Sequence, residues 1–444
     1  MEAANAYPGY RTARMRWLPP VPEHWNEQRA KTFFREVDER SKTGHEELLS
    51  VSHLTGVTPR SQKNVTMFKA ASYVGSKLCQ PGDIVINTLW AWMAALGASR
   101  HVGIVSPAYG VYRPHRTDSF NPAYLDYLLR TRAYVAEYIG RSTGIRSSRL
   151  RLYPNQFLDI ALLQPPRPEQ DQIVAYLRAQ DAHIARLIKA KRELIGLLNE
   201  QKLRIIDHAV TRGLSASVAL KPSGIEWLGD VPKHWEVLPL RRILRVKSGD
   251  MIHASEETED GWPIYGGNGP RGFTKKVNSH GPMLLIGRVG AKCGCIHRVD
   301  GKFWASEHAL RVIPLREFDQ EFFEHLLRWV DFNRFAIRTA QPLINSTIVR
   351  EQICAVPPVP EQVEIRKWIA DECQPLDETI QRAEEEIKLI REYRDRQIAD
   401  VVTGQVDVRG WVPGPDDVVA EEDLAALGGD EEIDTDGEED DGDD

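Results

Sequence analysis

Three short strings in this chain contain residue types that catalytic and ligand sites use, and the first is rich in glycine. Gly267, Gly269 and Gly272 have the GxGxxG spacing of dinucleotide and S-adenosylmethionine sites. Such a site needs a strand before the glycines and a helix after them. Pro270 interrupts the string, and the residues that follow, FTKKVN, do not begin a helix. The sequence therefore predicts no cofactor site at these glycines.

The second string holds three potential zinc ligands, Cys293, Cys295 and His297. A structural zinc site uses four ligands, usually in more widely spaced pairs. Alternate positions are instead typical of thiols packed on a strand, and packing is the role that we predict. The other three cysteines are scattered, and five thiols cannot form a disulfide framework for 444 residues. All five are predicted to be reduced, as in a cytoplasmic protein.

The third string, FNPAYL from Phe120, resembles the Asn-Pro-Pro-Tyr motif with which amino-methyltransferases hold a flipped base. Ala123 replaces the second proline, and a related string from Phe318 has Asp319 in place of the asparagine. Because Asn and Asp are both favoured N-cap residues, we predict that helices begin after Asn121 and Asp319. GxxxxGK[ST] and HExxH strings are absent from the sequence. These observations predict a chain with no catalytic residue, bound metal or cofactor of its own.

Four loops, at residues 55–69, 140–151, 265–276 and 341–350, combine Arg or Lys with Asn, Gln and Gly. Arg and Lys reach phosphates and guanine, and Asn and Gln form paired hydrogen bonds with adenine. Glycine permits close approach of the backbone. These loops are therefore predicted to contact DNA. The candidate DNA-binding residues are Arg60, Lys63, Asn64, Lys69, Arg141, Arg146, Arg149, Asn268, Arg271, Lys275, Lys276, Asn345 and Arg350.

The formal net charge of -7 hides a basic body. Residues 416–444 contain sixteen Asp and Glu and no Lys or Arg, which leaves 57 basic and 48 acidic side chains in the rest of the chain. Most of the basic excess falls in residues 27–150 and 236–350. Such a body suits a polyanionic partner. The acidic end is predicted to be disordered because like charges dominate it and aromatics are absent.

A long-range duplication organises the chain. WLPPVPEHW (17–25) returns as WLGDVPKHW (227–235), and PPRPEQDQI (165–173) returns as PPVPEQVEI (357–365), each identical at six of nine positions. We call these strings A and B, and their order is A, B, A, B. The segments between them resemble each other only weakly. Their short apolar runs, broken by Gly and Pro, predict strands of a compact mixed domain.

Each string B opens a long helical stripe of apolar residues, which ends before Gly213 in the first copy and before Gly404 in the second. A helix with one long stripe must bury it, so we predict an antiparallel pair, with a kink at Pro375. The N-terminal segment should dock where the second helix ends. The residues predicted to pack or dock partners along the helices are Ile173, Leu177, Ile184, Leu187, Leu194, Leu198, Ile205, Ile365, Ile369, Leu376, Ile380, Ile387 and Ile390.

The predicted fold class is α+β, with two α/β domains separated by two long antiparallel helices in a duplicated, pseudo-two-fold arrangement. No apolar run is long enough for a membrane helix, and the N-terminus has no apolar signal core, so the chain is expected to be cytoplasmic. The predicted segments are 1–26 (connector), 27–160 (first domain), 161–214 (first long helix), 215–352 (second domain, with a connector at 215–235), 353–410 (second long helix) and 411–444 (acidic tail).

Strings A and B, the helix end IIDHAVTRGL (205–214) and the following PSGIEWLGDVPKHW (222–235) resemble the specificity subunit of type I restriction-modification systems. The resemblance covers about residues 7–412. It implies that the two variable domains are target-recognition domains, each reading half of a bipartite site in double-stranded DNA. It also implies that the helices dock two modification (methyltransferase) subunits, which methylate adenine, and that ATP-driven restriction subunits join the full complex. S-adenosylmethionine, ATP and magnesium are then expected on those partners.

Two other functions remain open on the sequence alone. One is a self-contained DNA methyltransferase or nuclease, which the three strings that imitate catalytic and ligand motifs would suggest. Its long striped helices are also compatible with a coiled-coil scaffold that is not specific for DNA. Two different basic domains on repeated connectors favour the recognition subunit over both, because phosphate contacts supply affinity and base contacts supply sequence.

Overall fold

The computed structural model describes residues 6–53, 55–62, 72–144, 150–338, 341–424 and 427. The chain forms two units, and each has its own hydrophobic core. Unit 1 comprises residues 1–193 and 383–444, and unit 2 comprises residues 194–382. Both long helices run through both units, so each unit contains half of each helix. Within the described residues, none of the helices is long and apolar enough to cross a membrane.

Unit 1 is built from short strands and helices around the first long helix. Its strands are β1 (Tyr10–Arg11), β2 (Val21–Pro22), β3 (Asn26–Arg29), β4 (Phe34–Glu36), β5 (Leu49–Ser52), β6 (Gly56–Pro59), β7 (Lys77–Cys79), β8 (Ile84–Ile86), β9 (Leu96–Ala98), β10 (Gly103–Val105), β11 (Gly110–Pro114) and β12 (Ala161–Gln164). Its helices are α1 (Ala30–Phe33), α2 (Pro122–Leu129), α3 (Arg132–Arg141), α4 (Pro154–Leu158) and the first part of α5 (Arg167–Arg212).

Unit 2 repeats this plan and adds a larger second sheet. Its strands are β13 (Leu220–Pro222), β14 (Asp230–Pro232), β15 (Glu236–Pro239), β16 (Leu244–Ser248), β17 (Glu257–Thr258), β18 (Trp262–Gly266), β19 (Gly269–Thr274), β20 (Ser279–His280), β21 (Met283–Gly287), β22 (Ile296–Val299), β23 (Lys302–Ala305), β24 (Ala309–Pro314) and β25 (Ile353–Val356). Its helices are α6 (Gln320–Val330), α7 (Ser346–Glu351) and the first part of α8 (Val359–Val402), and α9 (Glu421–Leu424) belongs to unit 1.

Each unit contains its own central antiparallel sheet. The two sheets have the same arrangement although the sequences of the units are only weakly similar. The strand order is β4-β11-β8-β9 in unit 1 and β16-β24-β21-β22 in unit 2. The strands β8 and β21 contribute fully buried apolar residues to their cores, which explains why both sequences are apolar at this point. The five-stranded sheet β17-β19-β18-β23-β20 occurs in unit 2. The predicted α+β fold and its duplication are therefore confirmed.

The long helices have 46 and 44 residues, or roughly 69 and 66 Å at 1.5 Å per residue. Gly213 and Gly404 follow their ends with φ of 72° and 77°, in the left-handed conformation that glycine adopts without strain. The helix α8 continues through Pro375, which cannot donate to the carbonyl of Asp371. The kink predicted there stays a prediction.

Within each unit the two helices contact each other in antiparallel order. In unit 1, Arg394 donates to the buried Asp181 at 2.6 and 3.1 Å, and Gln397 donates to the hydroxyl of Tyr176 at 3.0 Å. In unit 2, Lys202 pairs with Asp377. Residue numbers on α8 rise as those on α5 fall, so the predicted antiparallel arrangement holds within unit 1.

Most of the predicted packing residues are buried or partly buried, but two are exposed. Leu187 and Leu194 expose 47% and 40% of their surface. Between Leu177 and Ile188 the helix instead buries small residues, including Ala182 and Ala185. The predicted stripe followed only the large aliphatic residues. It therefore departs from the buried face of the helix at positions where buried alanines allow close packing.

The predicted loop at 265–276 is a β-hairpin. Strands β18 and β19 pair from Trp262–Thr274 to Gly266–Gly269, so Asn268 lies in the turn. Gly269 has a φ of 102°, and a Cβ added to Gly287 would lie 2.0 Å from the carbonyl oxygen of Gly267. The glycines of the GxGxxG string therefore serve a tight turn and a close backbone approach.

Candidate nucleic-acid interface and the repeated junctions

Strings A and B meet at the base of each unit, where string B supplies a glutamate. In unit 1 the buried Glu169 accepts hydrogen bonds from the indole of Trp25 at 2.9 Å and from the hydroxyl of Tyr7 at 2.6 Å. His24 bonds the second carboxylate oxygen at 2.9 Å. Burial and the hydrogen bond to Glu169 raise the pKa of Tyr7 well above its usual range, so Tyr7 remains a donor.

Unit 2 builds the same junction with fewer partners. Glu361 accepts from the indole of Trp235 at 3.0 Å, and His234 bonds it at 2.7 Å. The side chain of Glu361 is 25% exposed, against 6% for Glu169. The repeated strings are thus explained by a repeated contact that fixes the start of each long helix to its domain.

The glutamine of string B forms the second half of the junction. In unit 1, Gln170 accepts from the backbone N–H of Asn121 at 2.7 Å and donates to the carbonyl of Pro165. In unit 2, Gln362 accepts from the N–H of Asp319 at 2.9 Å. The side chains of Asn121 and Asp319 accept from backbone N–H groups of α2 and α6, which confirms both as N-caps. The Asn121 amide also donates to Asp171, so it is committed to the junction.

We expect Glu169→Gln to lower the free energy of unfolding by about 1–3 kcal/mol, because the amide oxygen accepts from Trp25 and Tyr7 without the charge of the carboxylate and the amide NH2 group replaces the oxygen that His24 bonds. Glu361→Gln should cost less, since Glu361 has fewer partners and is more exposed. Urea unfolding of both variants and the wild type measures the difference. Equal costs at the two positions would contradict the stronger junction assigned to unit 1.

Three loops converge at one end of the central sheet of unit 2. A Cβ on Gly267 would lie 2.9 Å from the carbonyl oxygen of Val289, which places the β18–β19 turn against the loop after β21. The N–H of Gly290 donates to the carbonyl of Pro342, and that of Ile344 to the carbonyl of Arg288. We call the described residues 266–269, 288–292, 337–338 and 341–344 the loop-end surface of unit 2.

Unit 1 brings equivalent loops together. The N–H of Leu152 donates to the carbonyl of Thr88 at 2.9 Å, as that of Ile344 does to Arg288. Ala94 takes up a φ of 63° after β8, where unit 2 has Gly294 at 92°. The described residues 87–95, 142–144 and 150–152 form the loop-end surface of unit 1.

The described parts of both loop-end surfaces carry basic and no acidic residues, and their other side chains differ. In unit 2 the basic residues are Arg288, Lys292 and Arg338, and the last two are exposed. Unit 1 has Arg151, and it places Trp90 and Trp92 in its loop, stacked with ring centres 6.0 Å apart. Two basic surfaces with different side chains suit proteins that hold one polyanion and read different features of it.

The sequence analysis missed Arg288, Lys292 and Arg338. The signal for Arg288 and Lys292 was the glycine-broken loop GRVGAKCG directly after a buried apolar strand. Arg288 donates to the carbonyl of Glu307 at 3.4 Å, and Arg338 to the carbonyl and side chain of Asn333 at 3.3 and 3.2 Å.

Several predicted DNA-binding residues have partners within their own unit. Arg141 donates to Glu137 at 2.6 Å and lies 3.5 Å from Asp159. The side chain of Asn345 caps α7 by accepting from the N–H of Ile348 at 2.9 Å. These contacts occupy part of the hydrogen-bonding capacity of Arg141 and Asn345, so less of it is available for DNA.

The other candidates differ in position. Arg60 begins a short 3-10 turn after β6, Asn268 is exposed in the hairpin turn, and Arg350 is exposed near the end of α7. Arg271, Lys275 and Lys276 lie on and beyond β19 and form ion pairs. The candidates Lys63, Asn64, Lys69, Arg146 and Arg149 lie outside the described residues.

A further string, GRSTG at 140–144, has the GxSxG spacing of hydrolase nucleophiles. That motif places its serine between a strand and a helix. Here Ser142 directly follows the helix α3 and its N–H donates to the carbonyl of Tyr138. The arrangement is a helix end and does not present a nucleophile.

The cysteines have the environments of packing thiols. Burial raises the pKa of Cys79 and of Cys354 to about 12. Cys295 lies 3.2 Å from His297, and Cys293 contacts Asn333. Among the described residues, no group of three or more His, Cys, Asp or Glu is arranged to hold a metal ion.

We expect Cys79 and Cys354 to react slowly with Ellman's reagent in the native protein at pH 8. A rise in pKa from 9.0 to about 12 lowers the thiolate fraction roughly a thousandfold, and burial blocks access. Labelling in guanidinium chloride should release all five thiols. Rapid native labelling of Cys354 would show that the β15–β25 pair opens readily.

The start of the acidic tail packs on the first long helix. The carbonyl of Trp411 accepts from Gln172 at 2.5 Å, and its ring packs edge-to-face on Tyr176. His183 bonds Asp417 at 2.7 Å, and Arg186 donates to the carbonyls of residues 416 and 418. We call residues 411–424 the strap. The predicted disorder therefore does not apply to this part of the tail.

Sequence comparison finds relatives with one shared role. Residues 232–389 match the family model for the type I restriction modification DNA specificity domain. A 130-residue stretch is 33% identical to the type I restriction enzyme EcoprrI specificity subunit of Escherichia coli, covering 29% of this chain and 32% of that one. Another match, 23% identical over 331 residues, is the MjaVIII specificity subunit of Methanocaldococcus jannaschii, covering 64% of this chain and 70% of that one.

The fold is also similar to that of a solved protein. A solved chain from work on complex assembly and conformational transition of the type I R-M system superposes with a TM-score of 0.60 at 14% identity, covering 87% of this chain and 99% of that chain. The family model for the DNA specificity domain lies almost wholly in unit 2, and unit 1 is related to unit 2 through the repeated junction and sheet.

Proposed function

We propose that this chain reads a two-part sequence in double-stranded DNA, one part with each unit. The observation that carries the proposal is the pair of equivalent loop-end surfaces, whose described parts carry basic and no acidic residues and differ in their other side chains. Lysine and arginine at these surfaces contact phosphates and guanine, and the tryptophan-containing loop of unit 1 offers apolar contacts. The two parts of the site should then differ in sequence.

The chain acts in this proposal without catalysis of its own. The asparagine of the FNPAYL string is bonded to Ala123 and Asp171, so it does not present a methyltransferase site. Chemistry is assigned to partner subunits, two that methylate DNA and others that restrict it, with S-adenosylmethionine, ATP and magnesium bound there. The long helices offer docking surfaces to the methylating subunits, and exposed Leu187 and Leu194 suit this role.

Selection from random-sequence duplex DNA tests the proposal. The chain, co-expressed with its methylating partner, should enrich two short motifs separated by a fixed gap. Selection without any bipartite consensus would support a scaffold with no specificity for DNA. Methyl transfer by the isolated chain would instead support a self-contained enzyme.

A further inference from the structure

The strand β19 carries an exposed aromatic ring between basic residues. Phe273 is 45% exposed, and Thr274, next in the chain, is fully buried. Because neighbours on a strand point to opposite faces, Phe273 and Lys275 share the exposed face. Arg271 lies at a register shift in the hairpin, and Lys276 follows the strand. We call these four residues the β19 surface.

Each cation of the β19 surface has an acidic partner from one short segment, residues 256–260. Glu257 pairs with Arg271 at 2.9 Å, Asp260 pairs with Lys275 at 2.7 Å, and Glu256 pairs with Lys276. The segment reaches all three because it includes β17, which pairs with β19 on the side away from β18.

The three ion pairs are exposed to different degrees. The side chains of Lys275 and Asp260 expose 64% and 82% of their surface, whereas Glu257 and Glu256 expose 31% and 26%. Pairs that solvent reaches contribute roughly 0–1 kcal/mol. The hydrogen bonds from Lys276 and Lys275 lower the pKa of Glu256 and of Asp260, so both acids are charged at neutral pH. A stronger anion can replace them at little cost to the fold.

The β19 surface continues the loop-end surface of unit 2. The hairpin turn at Asn268 belongs to that surface, and Lys275 lies six residues beyond Gly269. At about 3.3 Å per residue, the strand extends the basic surface by roughly 20 Å. That length spans several phosphates of a duplex, whose charges recur about every 3.4 Å along each strand.

We propose that the β19 surface contacts the DNA backbone beside the sequence read by unit 2, and that Glu256, Glu257 and Asp260 are its resting counter-ions. Phosphates displace the three acids when DNA binds, and Phe273 packs against the sugars. The acids thus weaken binding to any DNA and do not change which sequence is preferred. The inference rests on the proposed function, because it assigns the backbone contacts of the same interface.

The test compares the full-length variant Glu257→Gln/Asp260→Asn with the wild type. Titrations use a random-sequence 40-base-pair duplex and the selected duplex, between about 50 and 200 mM salt. We expect three- to tenfold tighter binding to both duplexes and a steeper salt dependence, because displaced acids no longer take up cations. Arg271→Gln/Lys275→Gln should weaken both complexes and flatten the salt dependence by about one unit per lost contact.

Glu236→Gln/Glu351→Gln is the control that removes the same charge, since Glu236 pairs with Arg316 at 2.8 Å and Glu351 pairs with Arg241, both elsewhere in unit 2. If Glu257→Gln/Asp260→Asn binds DNA no more tightly than this control, the inference is wrong while the proposed function stands. Weaker binding by the double variant would mean that the acids position the cations, which also overturns it. A wild-type complex without sequence preference would overturn the proposed function itself.

Discussion

Replacing Lys292 and Arg338 by glutamine is expected to weaken binding to the selected duplex about a hundredfold. Both cations are exposed on the loop-end surface of unit 2, and each contact to a phosphate or a guanine contributes about 1–3 kcal/mol. If one of them contacts a base, preference should relax at one position in one half-site only. Fluorescence anisotropy on wild-type and single-base-changed duplexes measures both effects.

The control is Arg204→Gln/Lys233→Gln, which removes the same charge from unit 2 at exposed positions outside the loop-end surface. It should cost less than about threefold, because screening by salt limits charge effects beyond about 10 Å. Similar losses in the two double variants would mean that net charge, and not the loop-end surface, determines affinity.

Exchange of a whole domain should change the recognised sequence more than any point substitution. The pairs β3–β12 and β15–β25 occupy equivalent places at the base of the two domains. Residues 240–352 should therefore fit in place of 30–160, between strands that stay behind. The resulting chain has two copies of the second loop-end surface, and its selected DNA should contain the second half-site twice.

Selection from random duplex DNA in the presence of the methylating partner measures the outcome. The reciprocal exchange, 30–160 in place of 240–352, should give the first half-site twice. Retention of both original half-sites in either chain would place sequence recognition outside these segments. Circular dichroism and thermal unfolding establish that the exchanged chains fold.

The junctions could be predicted because both copies of strings A and B use the same residue types at the same positions. Trp25, Glu169 and their counterparts Trp235 and Glu361 were visible as repeated strings before any contact was known. Their pairing follows from one carboxylate in each copy, buried in unit 1 and partly exposed in unit 2, that accepts from an indole. A duplicated sequence therefore reveals such junctions, because the same contact restricts the residue types in both copies.

The residues of the β19 surface, the loop-end surface and the helix-packing face were less predictable. Their positions depend on strand register and on where small residues are buried. Lys275 and Lys276 looked like loop cations, but the hairpin places them beside Asp260 and Glu256. Lys292 was overlooked because a lone lysine among glycines has no periodic pattern. The burial of Ala182 in place of Leu187 follows from how closely two helices approach, which hydrophobicity alone does not encode.

Because of the strap, the two copies of the duplication do not offer the same binding sites. His183 and Arg186 hold the strap on α5, and the positions equivalent to them on α8 are Pro375 and Glu378, which lack both cationic anchors. After Gly213 the chain enters β13 instead of returning along a helix. Among the described residues the strap covers the start of α5 and has no counterpart on α8. A ligand that recognises this face of a helix start, and that is distinct from the two methylating subunits, would therefore bind once, at α8, where the duplication alone suggests two sites.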